Sequence, residues 1–383
     1  MRVALLWAGG IGDGGATGLA PHVEELAATL RAYGHDAHVV SATAALRSTD
    51  RECNGIPVHE VRVERRLAAN SDSCKATSYY LDCLQQTGGA FSTLVAYHRG
   101  FLPALGEMKR KSGARTVMWL HTDAGLHRRD AGQHYCSRAW SYTEAVDRFF
   151  VTSAALRERI VARGVMPEER IEVLYPGVDL DRLSRWVDQG KVKLQWKVGP
   201  FDPLVLFVGE MAHPQGPDLL LEAAFDIVQA HPQARFIFVG DGPLRPFLQV
   251  RARVLGLQGL IHFVGAISSE QLGALYNACD VVCIPHRSGH ESQGVLEAWS
   301  AGKPVVITRA ALPEYFDPEL DGLVVRATAD SIEEAICRLL ADRGLANSLG
   351  AHAWHRVDGQ FSWRTIASRM LGVDMTKQRR KAS

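Results

Sequence analysis

The chain has 383 residues, and its 43 Lys and Arg nearly cancel its 42 Asp and Glu, for a net charge of +1. That balance excludes the electrostatic footprint of a nucleic-acid binder, and the length predicts two domains at about 100–200 residues each. With 46% apolar and 22% charged residues it can bury large cores, while no run reaches the roughly 18 consecutive apolar residues that cross a bilayer.

In chain order, Arg2–Trp7 reads as a buried first strand, its apolar run too short for the core of a signal peptide. His22–Tyr33 carries Val23, Leu26, Ala27 and Leu30 at helical spacing and stops at Gly34. Ala37–Val40, Thr93–Tyr97, Thr116–Leu120 and Arg148–Val151 are further short strands, with helical segments between them. Pro and Gly then punctuate Tyr175-Pro176-Gly177-Val178-Asp179, and the polar Asp181–Pro200 reads as a linker. The pattern restarts with strands at Leu204–Val208, Arg235–Val239, Leu260–Val264, Val281–Pro285 and Pro304–Ile307. Helices at Pro217–Ala230, Leu244–Leu255, Ser269–Ala278, around Leu296–Ala301 and at Ser331–Asp342 separate or follow them.

Strands that alternate with helices predict α/β domains with a parallel sheet covered on both faces. Right-handed crossovers make each one doubly wound. The expected domains are 1–180 and 181–355, facing across a cleft, with 356–383 a C-terminal helix and tail packing back toward the first. Ligands in such sheets bind at the carboxyl ends of the strands. The seven cysteines (Cys53, Cys74, Cys83, Cys136, Cys279, Cys283 and Cys337) are odd in number and lack paired C-x-x-C spacing. They read as reduced cytosolic thiols rather than a zinc site, so the expected location is the cytoplasm and no metal ligands are expected. The basic run Lys377–Lys381 reads as a solvated terminus, with loose contact to an anionic membrane surface as the lesser alternative.

Several segments match a family in order. Gly34-His35 resembles its "GH-x-V" segment, and Val173–Asp179 its "V-I-P-N-G-V-D". Phe207-Val208-Gly209 with Gln215–Ala223 resembles "VGR…KG-x-D-LL-x-A". Val239–Leu244 matches "VGDGP", and Leu296–Val306 matches "LEA-x-x-x-G-K-P-V-V". The chain thus resembles the retaining glycosyltransferases of group 1, or family 4-like, with the GT-B fold of two Rossmann-like domains. The resemblance implies an acceptor-binding first domain and a donor-binding second one. It implies sugar transfer from a nucleoside-diphosphate sugar, here UDP or GDP, with retention and without a bound metal or a cofactor. A hydroxyl acceptor is expected, a small specialised metabolite in particular, with a thiol or amine the lesser choice. The alternatives are a pseudo-glycosyltransferase that couples an unusual activated sugar or cyclitol, and a degenerate sugar-binding partner subunit.

A departing diphosphate develops negative charge, so oriented N–H groups or cations must face it. The loop Gly9–Gly18 holds six glycines in ten residues, and Gly14 and Gly15 allow close backbone approach to the substrate. Glu297 sits where the family places a ribose-binding glutamate, since a carboxylate accepts both bonds of a vicinal diol. The family's other glutamate lies eight residues earlier. Here that position is Gly289, and Glu291 takes the role toward the donor sugar from a re-routed loop. The amides of Ser292, Gln293 and Gly294 are expected on the phosphates or sugar. The family's clamping arginine and lysine are replaced by Glu210 and Gln215, which leaves Arg287 as the preferred cation, ahead of His213, His286 and Lys303. In the first half, His121 follows a strand and resembles the histidine that faces the sugar. His98, Asp123 and Asp13 are the acceptor-side candidates.

Overall fold

The computed structural model describes residues 1–7, 20–43, 48–62, 82–84, 90–98, 101–121, 140–162, 164, 166–183, 187–288, 293–318 and 320–375. Two compact units emerge, Met1–Gly177 with Trp363–Ser383, and Val178–Ser362.

The first unit holds an eight-stranded sheet. Its strands are β1 (Arg2–Trp7), β2 (Asp36–Thr43), β3 (Thr49–Cys53), β4 (Ile56–Arg62), β5 (Thr93–Ala96), β6 (Arg115–Leu120), β7 (Arg148–Val151) and β8 (Ile171–Val173). Their order is β3-β4-β2-β1-β5-β6-β7-β8. All neighbours run parallel except β3, which is antiparallel to β4. β1 is buried along almost its whole length, as a strand covered on both faces must be. The helix Ala20–Ala32 turns Val23, Leu26, Ala27 and Leu30 onto the sheet, each fully buried. It ends at Gly34, whose φ is 82°, and His35 N–H donates back to the Leu30 carbonyl at 3.0 Å, closing a left-handed helix stop.

The hairpin partner β3 was not predicted. Its sequence is polar and its residues are almost all exposed, so it carries no alternation and is a strand only because β4 offers an open edge. Strand β4 itself, the short β8 and the later strand Leu323–Val325 are likewise not among the strands that the sequence predicts.

The second unit holds β9 (Leu204–Val208), β10 (Arg235–Val239), β11 (Ile261–Gly265), β12 (Val281–Ile284), β13 (Val305–Thr308) and β14 (Leu323–Val325). Their order is β11-β10-β9-β12-β13-β14, all parallel. Asp181–Pro200, expected as a linker, instead belongs to this unit. It contains the short helices Leu180–Leu183 and Gln189–Gln195. Asp188 caps the second by accepting from Lys191 N–H at 3.1 Å, and the buried Lys193 donates to Asp280 at 2.8 Å. A single helical turn or two cannot show a period, so only the tertiary ion pair reveals it.

The chain leaves the first unit at Gly177 and returns at Trp363, so residues 356–362 belong to the second unit. The helix Trp363–Leu371 buries Trp363, Ile366, Ala367, Met370 and Leu371 in the core that the helix Ala20–Ala32 also lines. Trp363 Nε1–H donates to Glu25 at 2.6 Å.

Each sheet reverses its strand order once, between β1 and β5 in the first unit and between β9 and β12 in the second. On the other side of β9, the loops that follow β9 and β10 pack backbone on backbone. Gly240 has φ +118°, and a Cβ there would drive into the Gly209 carbonyl oxygen. Gly240→Ala combines a strained backbone with overpacking, so a loss of about 3–5 kcal/mol in urea unfolding is expected. A loss below about 1 kcal/mol would show that the two loops can separate at little cost.

Candidate active site

The donor-side residues gather past the carboxyl ends of β9 and β12. The loop after β9 runs from Gly209 through a tight turn at His213–Gln215 to Gly216, which begins the helix Pro217–Ala230. Glu210 is exposed, so its carboxylate stays solvated. Gln215 is half-buried, and its Oε1 is buried without a hydrogen-bond partner among the described residues. The loop after β12 meets the first one through Arg287. Its backbone N–H donates to the Pro214 carbonyl at 2.7 Å and its Nη1 to the His213 carbonyl at 3.0 Å. Its guanidinium grips Asp218 with two bonds, at 2.7 and 2.6 Å. Burial alone would raise the Asp218 carboxyl, but the Arg287 bonds and charge outweigh it and hold it below the usual range. Arg287 thus ties the two loops together across the strand reversal. Its charge is matched by Asp218 in this arrangement.

His286 is buried, burial pushes its imidazole down, and its carbonyl accepts from Thr308 Oγ1–H. Lys303 precedes β13 and lines a cavity of about 220 Å³ with Pro203, Asp280 and Arg343 at the amino edge of the sheet. The topology therefore sets it at the opposite edge from the loops just described. Past the β12 loop, the helix Gln293–Ser300 buries Glu297 to 8% exposure, and Gln293 Nε2–H donates to Glu297 Oε1 at 3.2 Å. Gln293 and Gly294 open this helix, and the helix dipole favours an anion at this end. Glu291 and Ser292 lie outside the described residues, as do Gly14, Gly15, Asp13 and Asp123.

In the first unit the groups collect past β1, β5 and β6. Trp7 ends β1, Tyr97 follows β5, and His121 follows β6. His22, in the first turn of the helix Ala20–Ala32, sits among them. His121 is half-buried with its Nε2 fully buried, and its ring lies 5.0 Å from Trp119 and 5.9 Å from Tyr97. Trp7 Nε1, His22 Nε2, Tyr97 OH and His121 Nε2 are all buried without a hydrogen-bond partner among the described residues. Such groups are uncommon in folded proteins and mark places where structure serves function. Burial pushes His121 down to about 3 and raises the Tyr97 phenol, so both are neutral at physiological pH. His98 is half-buried, and its carbonyl accepts from Phe101 N–H at 3.0 Å, which starts the helix Leu102–Ser112.

Sequence reasoning named His121 but not His22, Trp7 or Trp363. A histidine on the apolar face of a helix and two tryptophans in core positions give no signal apart from their assembly in space. Among the described residues no three His, Cys, Asp or Glu are grouped to hold a metal ion, and no helix is long and apolar enough to cross a membrane.

Two Rossmann-like units with their polar groups at the strand reversals define a GT-B architecture. Anabaena HepE in complex with UDP shares this fold, with a TM-score of 0.73, 18% identity, and 97% of this chain and 99% of that one covered. The family model for glycosyl transferases group 1 matches residues 202–342, and that for glycosyltransferase family 4 matches residues 16–182. The GDP-mannose-dependent alpha-(1-6)-phosphatidylinositol monomannoside mannosyltransferase of Mycolicibacterium smegmatis is 30% identical over 295 residues, 73% of this chain and 75% of that protein. An uncharacterized glycosyltransferase of Methanocaldococcus jannaschii is 29% identical over 228 residues, and the match spans 58% of each. The chain belongs to the group 1, family 4-like glycosyltransferases, and so to the enzymes that transfer glycosyl groups.

Proposed function

We propose that the chain moves a sugar from a UDP- or GDP-sugar to a hydroxyl-bearing acceptor, a small specialised metabolite, and retains the anomeric configuration. The observation that carries this reading is Glu297, a buried carboxylate on a helix that opens past β12, held by Gln293 where a nucleotide ribose has both hydroxyls to offer. The GDP-mannose named for the mannosyltransferase relative and the UDP named for the HepE complex support the same donor class. The diphosphate is then met by the helix N-terminus at Gln293–Gly294 and by the Gln215 amide. Both supply N–H groups where the family carries fixed positive charge. Neutral donors of this kind bind an anion without burying a second charge, and Arg287 serves them indirectly by fixing the loop that bears Gln215.

His121 has the form of a neutral group that gives or takes one hydrogen bond. An imidazole whose conjugate acid sits at about 3 is too weak a base to take an acceptor proton. The leaving phosphate takes that proton, and His121 orients a sugar or acceptor hydroxyl.

Titration calorimetry with UDP and GDP tests the donor half. One of the two is expected to bind, and Glu297→Ala is expected to weaken that binding by more than about 1 kcal/mol, the scale of a lost hydrogen bond. If neither nucleotide binds at millimolar concentration the reading fails. If one binds but Glu297→Ala leaves its affinity unchanged, Glu297 loses the ribose role.

A further inference from the structure

His22 is packed on several sides by rings. Its centroid lies 4.7 Å from that of His121, edge-on at 88°. It lies 4.4 Å from Trp363, also edge-on, 4.6 Å from Trp119, and 6.1 Å from Tyr97. One imidazole therefore joins the helix Ala20–Ala32, β6, the end of β5 and the helix Trp363–Leu371. No hydrogen bond among the described residues reaches His121 Nε2, so packing must orient that ring.

We propose that His22 is the positioning residue for His121: its edge-on ring fixes the His121 imidazole and keeps water from its buried side. The inference rests on the reading of His121 above and deepens it. A functional group is held only as well as the shell behind it, and here that shell is aromatic.

The electrostatics agree with the geometry. Burial holds His22 well below the ordinary imidazole range, and the neighbouring His121 adds to that. Two imidazoles in contact cannot both carry a proton at low cost, and the amino-terminal turn of a helix disfavours a cation further. Two other titratable groups among the described residues pack against the cluster. Tyr97 is kept neutral by burial. Glu25 accepts from Trp363 Nε1–H at 2.6 Å. No described carboxylate pairs with either imidazole, so nothing restores the proton that burial removes.

The test uses the full chain labelled with carbon-13 at histidine Cε1, followed by NMR from pH 8 to pH 4. His121→Asn assigns the His121 signal by its loss. The parent His121 signal is expected to stay flat over this range. In His22→Ala, water reaches the ring, and the His121 midpoint is expected to rise by at least one unit toward the ordinary value of about 6.5. His22→Phe keeps the ring and the burial and is expected to stay flat. A flat His121 signal in His22→Ala overturns the proposal, as does His22→Phe titrating like His22→Ala. If His22→Ala does not fold, His22→Gln, which keeps volume but no ring, takes its place with the same two outcomes. The titration needs no substrate, so a chain that binds neither UDP nor GDP would sink the functional reading and leave this test standing.

Discussion

His121→Ala is expected to lower turnover by about 100-fold or more, the cost of losing one well-placed contact to a reacting group. UDP or GDP affinity should stay within about twofold, because Gln215, Gln293 and Glu297, proposed for the nucleotide, belong to the other compact unit. Steady-state kinetics beside calorimetry separates the two. Full activity in His121→Ala would return this residue to the structural core. The parent's pH profile carries a second expectation. His121 changes charge only near 3, so it contributes no acid limb to the turnover between pH 5 and pH 8. An acid limb near pH 6 that disappears in His121→Asn would contradict the neutral role.

The sign for stability follows from the same burial. Unfolded, His22 and His121 bind protons below about 6.5; folded, they resist doing so down to about 3 for His121 and well below the ordinary value for His22. The unfolded chain thus binds more protons in this window, and stability falls as pH falls through it.

Asp321→Ala is expected to cost about 3–5 kcal/mol of stability in urea unfolding followed by tryptophan fluorescence. Asp321 is fully buried. Its carboxylate is paired with Arg356, accepts from His352 Nδ1 at 3.1 Å, and accepts from Asp317 N–H at 2.7 Å. Removing one partner of a buried ion pair strands the other charge, which costs far more than the pair contributes. The effect reaches the site by a short path. Trp299 Nε1–H donates to the Asp321 carbonyl at 3.1 Å, and Trp299 shares the helix Gln293–Ser300 with Glu297. Arg356 also lies 5.5 Å over the Trp299 ring. The double change Asp321→Leu with Arg356→Met leaves no stranded charge and should recover part of the loss. A double variant as unstable as Asp321→Ala would show that the hydrogen bonds, not the charges, dominate.

Much of the fold was readable because its signals are local. Continuous apolar runs such as Leu204–Val208 and the spaced Val23, Leu26, Ala27 and Leu30 declare strand and helix through their own periods. The ordered motifs, from Gly34-His35 to Leu296–Val306, pointed to the family that the comparisons then showed. The proposal for Glu297 rests on the same kind of signal, since it lies within a motif whose spacing is intact. The hairpin at β3 was not legible, because exposed polar residues form a strand there only through an edge offered by β4. Nor was the fate of Arg287. Its sequence neighbours suggested a cation for the diphosphate, but its partner Asp218 lies 69 residues away and meets it only when two loops close over the same strand reversal.

By itself, the sequence determined the class of fold and the family, because periodicity, turn chemistry and motif spacing are properties of neighbouring residues. Only the tertiary structure decided which charges are already paired, that residues 363–371 belong to the first unit, and that His22, Tyr97, Trp119, His121 and Trp363 form one aromatic cluster. Those outcomes depend on which distant side chains share a desolvated volume, and no local pattern records that.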